Sequence, residues 1–212
     1  MPDVTPTRSV FDDAYRSGTP PWVIDGPQPA VVELERRGLI RGQVLDAGCG
    51  AGEHTILLAG LGYDVIGIDF SPHAVRTAGD NAAARGVSAR FEVADALELD
   101  GRQQYDTIVD SALFHVFDVA DRARYVAALH RACRPDGLVH VLALSDAGRG
   151  FGPQVSEVDI RGAFAGGWTL EALDTATYHG VVGQAQSEAY GVPVGTRVEE
   201  PAWLATVRHV AS

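Results

Sequence analysis

The sequence has few cysteines and no long apolar run. It contains two cysteines in 212 residues, Cys49 and Cys133, and neither belongs to a CxxC pair or a Cys/His cluster of the kind that binds zinc. This cysteine usage is typical of a reducing, cytoplasmic compartment. No apolar stretch reaches the ~18 residues that a membrane-spanning helix needs. Residues 1–20 lack the apolar segment of a secretory signal, so we expect none.

Basic residues are also scarce. There are 17 Lys and Arg against 28 Asp and Glu, which gives a net charge of −11. Nucleic acids and anionic membrane surfaces are both bound through basic side chains, so we expect neither as a partner. The charge is compatible with a neutral or cationic small ligand, and equally with plain solubility. At roughly 100–200 residues per domain, the length predicts a single domain over 1–212, as a monomer or homodimer.

Short apolar segments alternate with helical ones along most of the chain. We expect strands at 43–46, 64–69, 89–94, 105–110 and 138–144, and helices at 7–16, 29–37, 53–59, 72–85, 119–133 and 156–164. Ser71 and Ser156 are expected N-caps. The alternation predicts a parallel, doubly wound α/β sheet with right-handed crossovers. Two final strands, 168–177 and 202–210, are joined by a polar, glycine-rich segment at 179–200. This pattern predicts an antiparallel hairpin with a long loop.

A glycine-rich loop follows the first strand. The strand ends in Asp46, and Gly48, Gly50 and Gly52 follow at alternate positions. Bare backbone of this kind lets a ligand lie against the chain, although Gly52 has an alternative role in packing the next helix on the sheet. Asp69 ends the second strand, and a carboxylate there can accept hydrogen bonds from ribose hydroxyls. Because ligands bind at the carboxyl ends of such strands, the pattern predicts a nucleoside site.

The spacing of the glycines separates two classes of nucleotide site. Dinucleotide folds use G-x-G-x-x-G and place a pyrophosphate on the helix N-terminus. Here the spacing is G-x-G-x-G, and Asp46 precedes the loop. Glu53 and His54 follow the loop, at positions where a phosphate site would have a Lys or Arg to bind the phosphate. A carboxylate so placed repels pyrophosphate and attracts an ammonium group. The loop therefore favours a cationic nucleoside, with an NAD-dependent oxidoreductase as the weaker alternative.

Three motifs resemble those of class I S-adenosylmethionine-dependent methyltransferases. Residues 46–52 (Asp-Ala-Gly-Cys-Gly-Ala-Gly) resemble motif I. Residues 67–71 (Gly-Ile-Asp-Phe-Ser) resemble the motif whose acid binds ribose, and residues 94–96 (Ala-Asp-Ala) the motif whose acid meets the adenine amino group. The resemblance implies a Rossmann-like seven-stranded sheet of order 3-2-1-4-5-7-6, S-adenosylmethionine as cofactor and S-adenosylhomocysteine as product. The cofactor-binding residues it implies are Asp46, Gly48, Cys49, Gly50, Asp69, Phe70, Asp95, Ala96 and Ser111.

For two of the acids, Asp46 and Asp95, a purely structural role remains open. Asp46 is expected to contact the cofactor or the backbone of the loop, since acids are favoured near helix N-termini. Asp95 is alternatively an ordinary loop acid, in which case Ala96 is incidental. Asp69 is less suited to a plain capping role, because Ser71 already serves as the cap of the following helix.

A narrower resemblance covers residues 20–29 and 110–118, which are similar to the thiopurine methyltransferase-like branch. It implies that residues 1–28 cover the cofactor, with Trp22 in contact with it, while residues 29–212 form the core. It also implies an acceptor with an O, S or N nucleophile on a small apolar, aromatic or heterocyclic molecule. Phe11, Tyr15, Phe114 and Phe151 are candidates for the acceptor wall. The alternative is a sensor that binds S-adenosylmethionine without transferring its methyl group.

His115 is the candidate catalytic residue, just past the fourth strand. A neutral imidazole there could take a proton from a hydroxyl, thiol or ring nitrogen. The alternative is a histidine that only shapes the pocket, because methyl transfer to a thiolate or aromatic nitrogen depends mainly on proximity. The other histidines form no HxH or HxxxH pair, so we expect no metal.

Overall fold

The computed structural model describes residues 4–18, 20–99 and 103–210. Residues 1–3 and 19 of the expected cover lie outside the described residues. Seven strands form one sheet in the order β3-β2-β1-β4-β5-β7-β6. Their bounds are β1 Gln43–Ala47, β2 Asp64–Asp69, β3 Arg90–Val93, β4 Tyr105–Ser111, β5 Cys133–Leu144, β6 Trp168–Val181 and β7 Arg197–His209. Strands β1 to β5 are parallel, and β7 runs antiparallel to both β5 and β6. The predicted fold class, strand order and terminal hairpin are confirmed.

Apart from the last, the helices of the described residues begin and end close to the expected positions. Their bounds are α1 Arg8–Ser17, α2 Pro29–Arg36, α3 Glu53–Gly60, α4 Pro72–Ala84, α5 Val119–Ala132, α6 Glu157–Ala163 and α7 Gln184–Tyr190. Both expected serine caps form. Ser71 Oγ accepts from Ala74 N at 3.2 Å, and Ser156 makes a reciprocal capping box with Asp159. These bonds satisfy N–H groups that have no partner within the helix.

The segment 179–200 differs from the expected loop. Strand β6 continues to Val181 and β7 begins at Arg197, and their pairing is continuous at that end from Thr177 opposite Pro201 to Val181 opposite Arg197. Helix α7 lies between them, in a segment of good helix formers, and ends before Gly191, whose φ of +67° suits a left-handed C-terminal stop. The prediction of a helix-free connection was therefore wrong, because strand pairing and local helix propensity outweigh the polar, glycine-rich composition.

Strand β5 also begins earlier than expected. It starts at Cys133 instead of residue 138, directly after the end of α5 at Ala132. Cys133 pairs with Tyr105, and the register then shifts before Leu138 pairs with Thr107. An irregular strand start of this kind accommodates the proline and glycine of this segment, Pro135 and Gly137.

Apolar helices cover both faces of the central strands. Leu45, Ile108 and Val139 belong to a core shared with α5 and α6, while Val44 and Val109 face the side covered by α2 and α3. Burial on both faces is what makes these strands continuous apolar runs. The packed helices leave the carboxyl edge of the parallel strands to the connecting loops. In the described part of the chain, no helix combines the length and apolarity needed to cross a lipid bilayer.

Gly52 is a packing glycine. Its φ is +85°, and a Cβ there would lie 2.8 Å from Ala78 Cβ and 2.9 Å from the Phe91 ring. Any side chain would push the start of α3 away from α4 and β3. The packing role left open for this glycine is the one that its surroundings require.

Candidate active site

A cavity of about 720 Å³ opens at the carboxyl edge of the parallel strands. Its size falls in the ~300–1,000 Å³ range of pockets that hold small molecules. A smaller pocket of about 50 Å³ shares Gly48, Trp22 and Ser111 with it and extends along the glycine loop. One or both are lined by the following expected site residues: Trp22, Gly48, Cys49, Gly50, Asp69, Phe70, Asp95, Ala96, Ser111 and His115. Asp46 lines neither.

The glycine loop presents bare backbone to these pockets. Gly48 has φ +71° and Gly50 has φ +53°, a region that side chains other than glycine rarely adopt. A Cβ on Gly48 would lie 3.1 Å from Leu113, and one on Gly50 would lie 2.5 Å from the Tyr15 hydroxyl. The loop is anchored by the Cys49 N–H, which donates to Ile68 O at 2.8 Å.

Asp46 stabilises the helix that follows the loop. It is 1% exposed, and its Oδ2 accepts from Thr55 N at 3.1 Å and from Thr55 Oγ1 at 2.6 Å. Burial raises the pKa of this carboxyl, and the hydrogen bonds from Thr55 oppose that shift. The position is that of an acid at a helix N-terminus, which is the structural role weighed for it. Its contact with a cofactor stays a prediction.

Asp69 links the glycine loop to the second strand. Its Oδ2 accepts from Gly50 N at 3.1 Å and its Oδ1 from Ser71 N at 2.8 Å. Burial raises the pKa of the Asp69 carboxyl to about 6, against the lowering effect of these two hydrogen bonds. The carboxyl also lines the large cavity, so the same group that holds the loop is available to a ligand.

Asp95 and Ala96 lie where β3 ends. Asp95 Oδ1 accepts from Leu97 N at 2.9 Å and caps the short 3₁₀ helix Ala96–Glu98. Asp95 is exposed and Ala96 is buried, and both line the large cavity. Asp95 therefore combines the ordinary loop role with a position at the cavity wall.

An aromatic cluster from the N-terminal segment lies over the glycine loop. The Trp22 indole N–H donates to the Tyr15 hydroxyl at 2.9 Å, and the two rings meet edge to face. The Phe11 ring centroid lies 5.7 Å from that of Trp22 and 5.5 Å from that of Phe70. These contacts place α1 and the segment after it as a cover for the loop. We call residues 4–28, where described, the N-terminal cover.

Two groups of polar contacts tie the outer part of this cover to the core. Asp12 accepts from Ser71 Oγ at 2.6 Å, and its carboxyl lies 2.9 Å from His73 Nδ1. The hydrogen bond from Ser71 lowers the pKa of Asp12 to about 2. Before the start of α1, Thr5 N donates to Asp118 Oδ2 at 3.3 Å, and Asp118 N donates back to Thr5 Oγ1 at 3.0 Å.

The inner part of the cover is tied to β6. Gln28 Nε2 donates to His179 O at 2.7 Å, and His179 N donates back to Gln28 Oε1 at 2.9 Å. Pro21 O accepts from Val181 N at 2.8 Å. The cover is therefore held on both sides of the cavity.

The turn after β4 carries His115 and is held by Asp110. This fully buried carboxyl accepts from Leu113 N at 3.0 Å, from Phe114 N at 3.2 Å and from the Tyr125 hydroxyl at 2.8 Å. Burial raises the pKa of Asp110 to about 7. Ala112 in the same turn has φ +75°, and strained backbone of this kind is often found at functional sites.

Phe114 belongs to the core instead of the acceptor wall. It is 0% exposed, and its ring stacks on Phe164 with centroids 5.7 Å apart. The expectation that it lines the pocket was wrong, because the turn held by Asp110 directs it inwards. The other three aromatic candidates, Phe11, Tyr15 and Phe151, do line the cavity.

His115 is buried at the cavity wall, with 4% exposure. Its Nδ1 accepts from the backbone N–H of Leu144 at 2.9 Å. Burial, together with the charge of Arg122, lowers the pKa of His115 to about 3. The ring is therefore neutral at physiological pH.

Several lining residues were missed from the sequence. Tyr178 of β6 and Glu200 of β7 line the cavity, but Tyr178 follows the expected strand 168–177 and Glu200 falls in the expected loop 179–200. Glu200 is buried and pairs with Arg149 at 2.5 Å. No local signal marks them, because only the length of the hairpin brings them over the cavity.

Residues 44–137 match the family model described as a methyltransferase domain. Over 184 residues the chain is 34% identical to the 2-heptyl-1-hydroxyquinolin-4(1H)-one methyltransferase of Mycobacteroides abscessus, a match that covers 80% of each protein. The chain belongs to the S-adenosylmethionine-dependent methyltransferases. The expected family resemblance and cofactor are thereby confirmed.

Solved structures agree with this assignment. The methyltransferase superposes with a TM-score of 0.86 and 40% identity on a structure concerned with the conversion of a disulfide bond into a thioacetal group during echinomycin biosynthesis. The match covers 96% of this chain and 93% of the other. The 1,6-didemethyltoxoflavin-N1-methyltransferase of Burkholderia thailandensis, solved with S-adenosylhomocysteine, gives a TM-score of 0.70 at 22% identity over 96% of this chain and 87% of that one. That likeness shows the fold alone.

The cavity of this methyltransferase fits S-adenosylmethionine. The glycine loop offers backbone without side chains, and Asp69 and Asp95 are carboxylates on the cavity wall that can accept hydrogen bonds from hydroxyl and amino groups. Among the described residues lining either pocket, Arg8 is the only Arg or Lys. An acid-rich wall favours a cationic ligand and disfavours the pyrophosphate of a dinucleotide.

Proposed function

We propose that this methyltransferase transfers the methyl group to an O, S or N nucleophile of a small, mainly apolar aromatic or heterocyclic molecule. The observation that carries the proposal is the apolar part of the cavity. Its wall is made of apolar side chains from several elements, namely Val10, Leu113, Val116, Phe117, Leu144, Phe151, Pro153, Val181 and Val198. A mostly apolar wall with a few polar groups is typical of sites for small heterocycles. The name of the Mycobacteroides abscessus relative, a hydroxyquinolinone methyltransferase, supports the same class.

The cofactor is assigned to the carboxylate side of the cavity. We propose that Asp69 accepts from the ribose hydroxyls and Asp95 from the adenine amino group, while Gly48, Cys49 and Gly50 offer backbone. Phe70, Ala96 and Ser111 complete this side, and Trp22 covers it. When bound, S-adenosylmethionine supplies an electrophilic methyl group. Asp46 supports the site by holding the start of α3 through Thr55.

The chain contributes mainly position and exclusion of water. The aromatic cluster of the N-terminal cover closes one side of the cavity, and the turn after β4 closes another. Holding a nucleophile in line with a methyl group in a dry pocket removes much of the entropic barrier to transfer. Catalysis by orientation does not depend on a charged group beside the acceptor.

The test is turnover on a panel of small acceptors. Purified protein with S-adenosylmethionine would be offered hydroxyquinolinones, phenols, aromatic thiols and ring-nitrogen heterocycles, and S-adenosylhomocysteine release would be measured. We expect turnover with at least one heterocyclic acceptor and none with short aliphatic amines or amino acids. Turnover only with the aliphatic compounds would refute the acceptor class.

The same assay separates the alternatives weighed from the sequence. Calorimetric binding of S-adenosylhomocysteine without turnover of any acceptor would favour a sensor. Tight NAD binding with no S-adenosylhomocysteine binding would favour an oxidoreductase and overturn the assignment of the cavity.

The proposal also includes a cytoplasmic protein, monomeric or homodimeric, with no nucleic-acid acceptor. The net charge of −11 supports the last point, since phosphate contacts need basic side chains. Both cysteines are buried and free, which suits a reducing compartment. Unchanged turnover in the presence of excess RNA and DNA, and light scattering of the purified protein, would test these points.

A further inference from the structure

We propose that His115 recognises the methyl acceptor by donating a hydrogen bond from its Nε2–H group, so that the site selects molecules with an oxo or oxyanion group near the methylated atom. This inference deepens the proposed function and rests on it. It assigns His115 a positioning role in place of the general base expected from the sequence.

The backbone of β5 determines which ring nitrogen is available. The Leu144 N–H can only donate, so its 2.9 Å bond to Nδ1 requires a lone pair on Nδ1. In a neutral imidazole the single proton is then on Nε2, which makes Nε2 a donor. Accepting a proton would produce an imidazolium with a proton on each nitrogen. No lone pair would then remain on Nδ1 for Leu144, so protonation of the ring breaks this bond.

The surroundings of the His115 ring also disfavour its action as a general base. Burial lowers the pKa of His115, and the Arg122 charge lowers it further. No described residue accepts a hydrogen bond from Nε2, and the ring lines the cavity. Because Nε2 has no partner among the described residues, an acceptor group bound in the cavity would complete its hydrogen bonding.

A second polar group on the same turn has the same need. Ser111 Oγ is buried without a hydrogen-bond partner among the described residues, and Ser111 lines the same cavity. The two groups are only four positions apart and are held by one buried carboxyl, Asp110. Buried polar groups without a partner are rare in folded proteins, so Ser111 Oγ indicates that a polar ligand atom meets this wall of the cavity.

The Nε2–H donor of His115 affects the protonation state of the acceptor. A hydrogen bond donated to an oxygen favours its deprotonated or oxo form, because the donor stabilises negative charge. The acceptor then enters as its anion, its proton having gone to water. The new bond forms between the acceptor nucleophile and the methyl carbon, and the methyl–sulfur bond breaks with its electron pair left on sulfur. No proton has to be taken by the protein during the transfer.

Two substitutions distinguish the roles of the two ring nitrogens of His115. In His115→Asn the side-chain oxygen can replace Nδ1 as partner of Leu144, but nothing reaches the place of Nε2. In His115→Gln the longer side chain carries an amide N–H to that place. The probes are 1-hydroxyquinolin-4(1H)-one and quinoline, which lacks the oxygens. Binding of each is measured by calorimetry in the presence of S-adenosylhomocysteine.

We expect His115→Asn to weaken binding of the hydroxyquinolinone about 10- to 100-fold, the effect of losing a hydrogen bond to a charged group. Quinoline binding should change by less than about threefold, and His115→Gln should recover most of the lost affinity. Equal losses for both probes, or no recovery in His115→Gln, would show a packing role and overturn the proposal.

A measurement without any acceptor keeps the inference separate from the proposed function. Nitrogen-15 NMR of the histidine side chains with S-adenosylhomocysteine bound, assigned by comparison with His115→Asn, should show a neutral Nε2–H ring at pH 7. An Nδ1–H ring or an imidazolium would overturn the donor assignment whatever the acceptor is. If the tautomer is as expected but the wild-type protein binds neither probe, the acceptor class is wrong and the donor assignment still holds.

Discussion

Replacing Gly50 with alanine tests the contact between the glycine loop and the N-terminal cover. The new Cβ would lie 2.5 Å from the Tyr15 hydroxyl, which is held in place by the Trp22 indole N–H. Left-handed backbone costs a residue with a Cβ about 1–2 kcal/mol, and forcing a side chain into a packed contact costs about 1–3 kcal/mol more. We therefore expect Gly50→Ala to lower the free energy of unfolding by about 2–5 kcal/mol.

Gly62→Ala is the matched control. Gly62 also has a left-handed φ, +91°, but a Cβ there meets nothing within 4 Å. Its substitution should cost only the backbone strain, about 1–2 kcal/mol. Urea unfolding of both variants gives the difference, which reports the contact with Tyr15.

A double variant identifies the atom responsible. Tyr15 Cζ lies 3.7 Å from the added Cβ, an ordinary contact, so Tyr15→Phe removes the overlap and leaves the ring. In the Gly50→Ala background, Tyr15→Phe should restore about 1–2 kcal/mol of the free energy of unfolding and recover affinity for S-adenosylhomocysteine. In the wild-type background, Tyr15→Phe only removes the hydrogen bond from Trp22. The reasoning fails if Gly50→Ala and Gly62→Ala are equally stable, or if the two substitutions at 50 and 15 are additive.

The remaining predictions concern the acids. Asp69→Ala should weaken S-adenosylhomocysteine binding by about 1–3 kcal/mol in calorimetry. Asp80→Ala, at an exposed position, is the control and should leave the affinity unchanged. Unchanged affinity in Asp69→Ala would show that Asp69 does not bind the cofactor. Because the folded-state pKa of Asp69 is raised to about 6, its contribution to stability is present below pH ~4 and lost as pH rises through 6. Asp69→Asn should therefore remove up to about 3 kcal/mol of the fall in unfolding free energy between pH 4 and 7, and parallel curves for both proteins would contradict this. Asp12→Asn should speed hydrogen exchange in α1 but not in β1, since it weakens the link to His73.

The sheet could be predicted because its signals are local. The central parallel strands are apolar runs, and the serine caps at Ser71 and Ser156 lie within one turn of the N–H groups they satisfy. The motifs that contain Asp46, Asp69 and Asp95 lie at one edge of the sheet, since parallel strands bring their carboxyl ends together.

What the sequence could not provide depends on partners far along the chain. The tautomer of His115 is determined by the backbone of Leu144, 29 positions away, and the direction of Phe114 by the bonds to Asp110. The motif predicts that Asp46 contacts the ligand. In the structure its Oδ2 accepts a hydrogen bond from Thr55, which lies outside the motif. The hairpin residues Tyr178 and Glu200 reach the cavity only because strand pairing extends further than composition indicates.

The link between Gln28 and His179 has a consequence for the order of folding. The two residues are 151 positions apart, so the cover is completed by a strand that leaves the ribosome long after the cover itself. Closing so long a loop is entropically expensive and is repaid only when the last strands are in place. We expect the nascent chain to hold a folded central sheet with an open, unprotected pocket until β7, which joins β6 to the sheet, has been synthesised. During that interval the apolar cavity is exposed, and this makes the C-terminal hairpin the part of the chain that protects the whole molecule from aggregation.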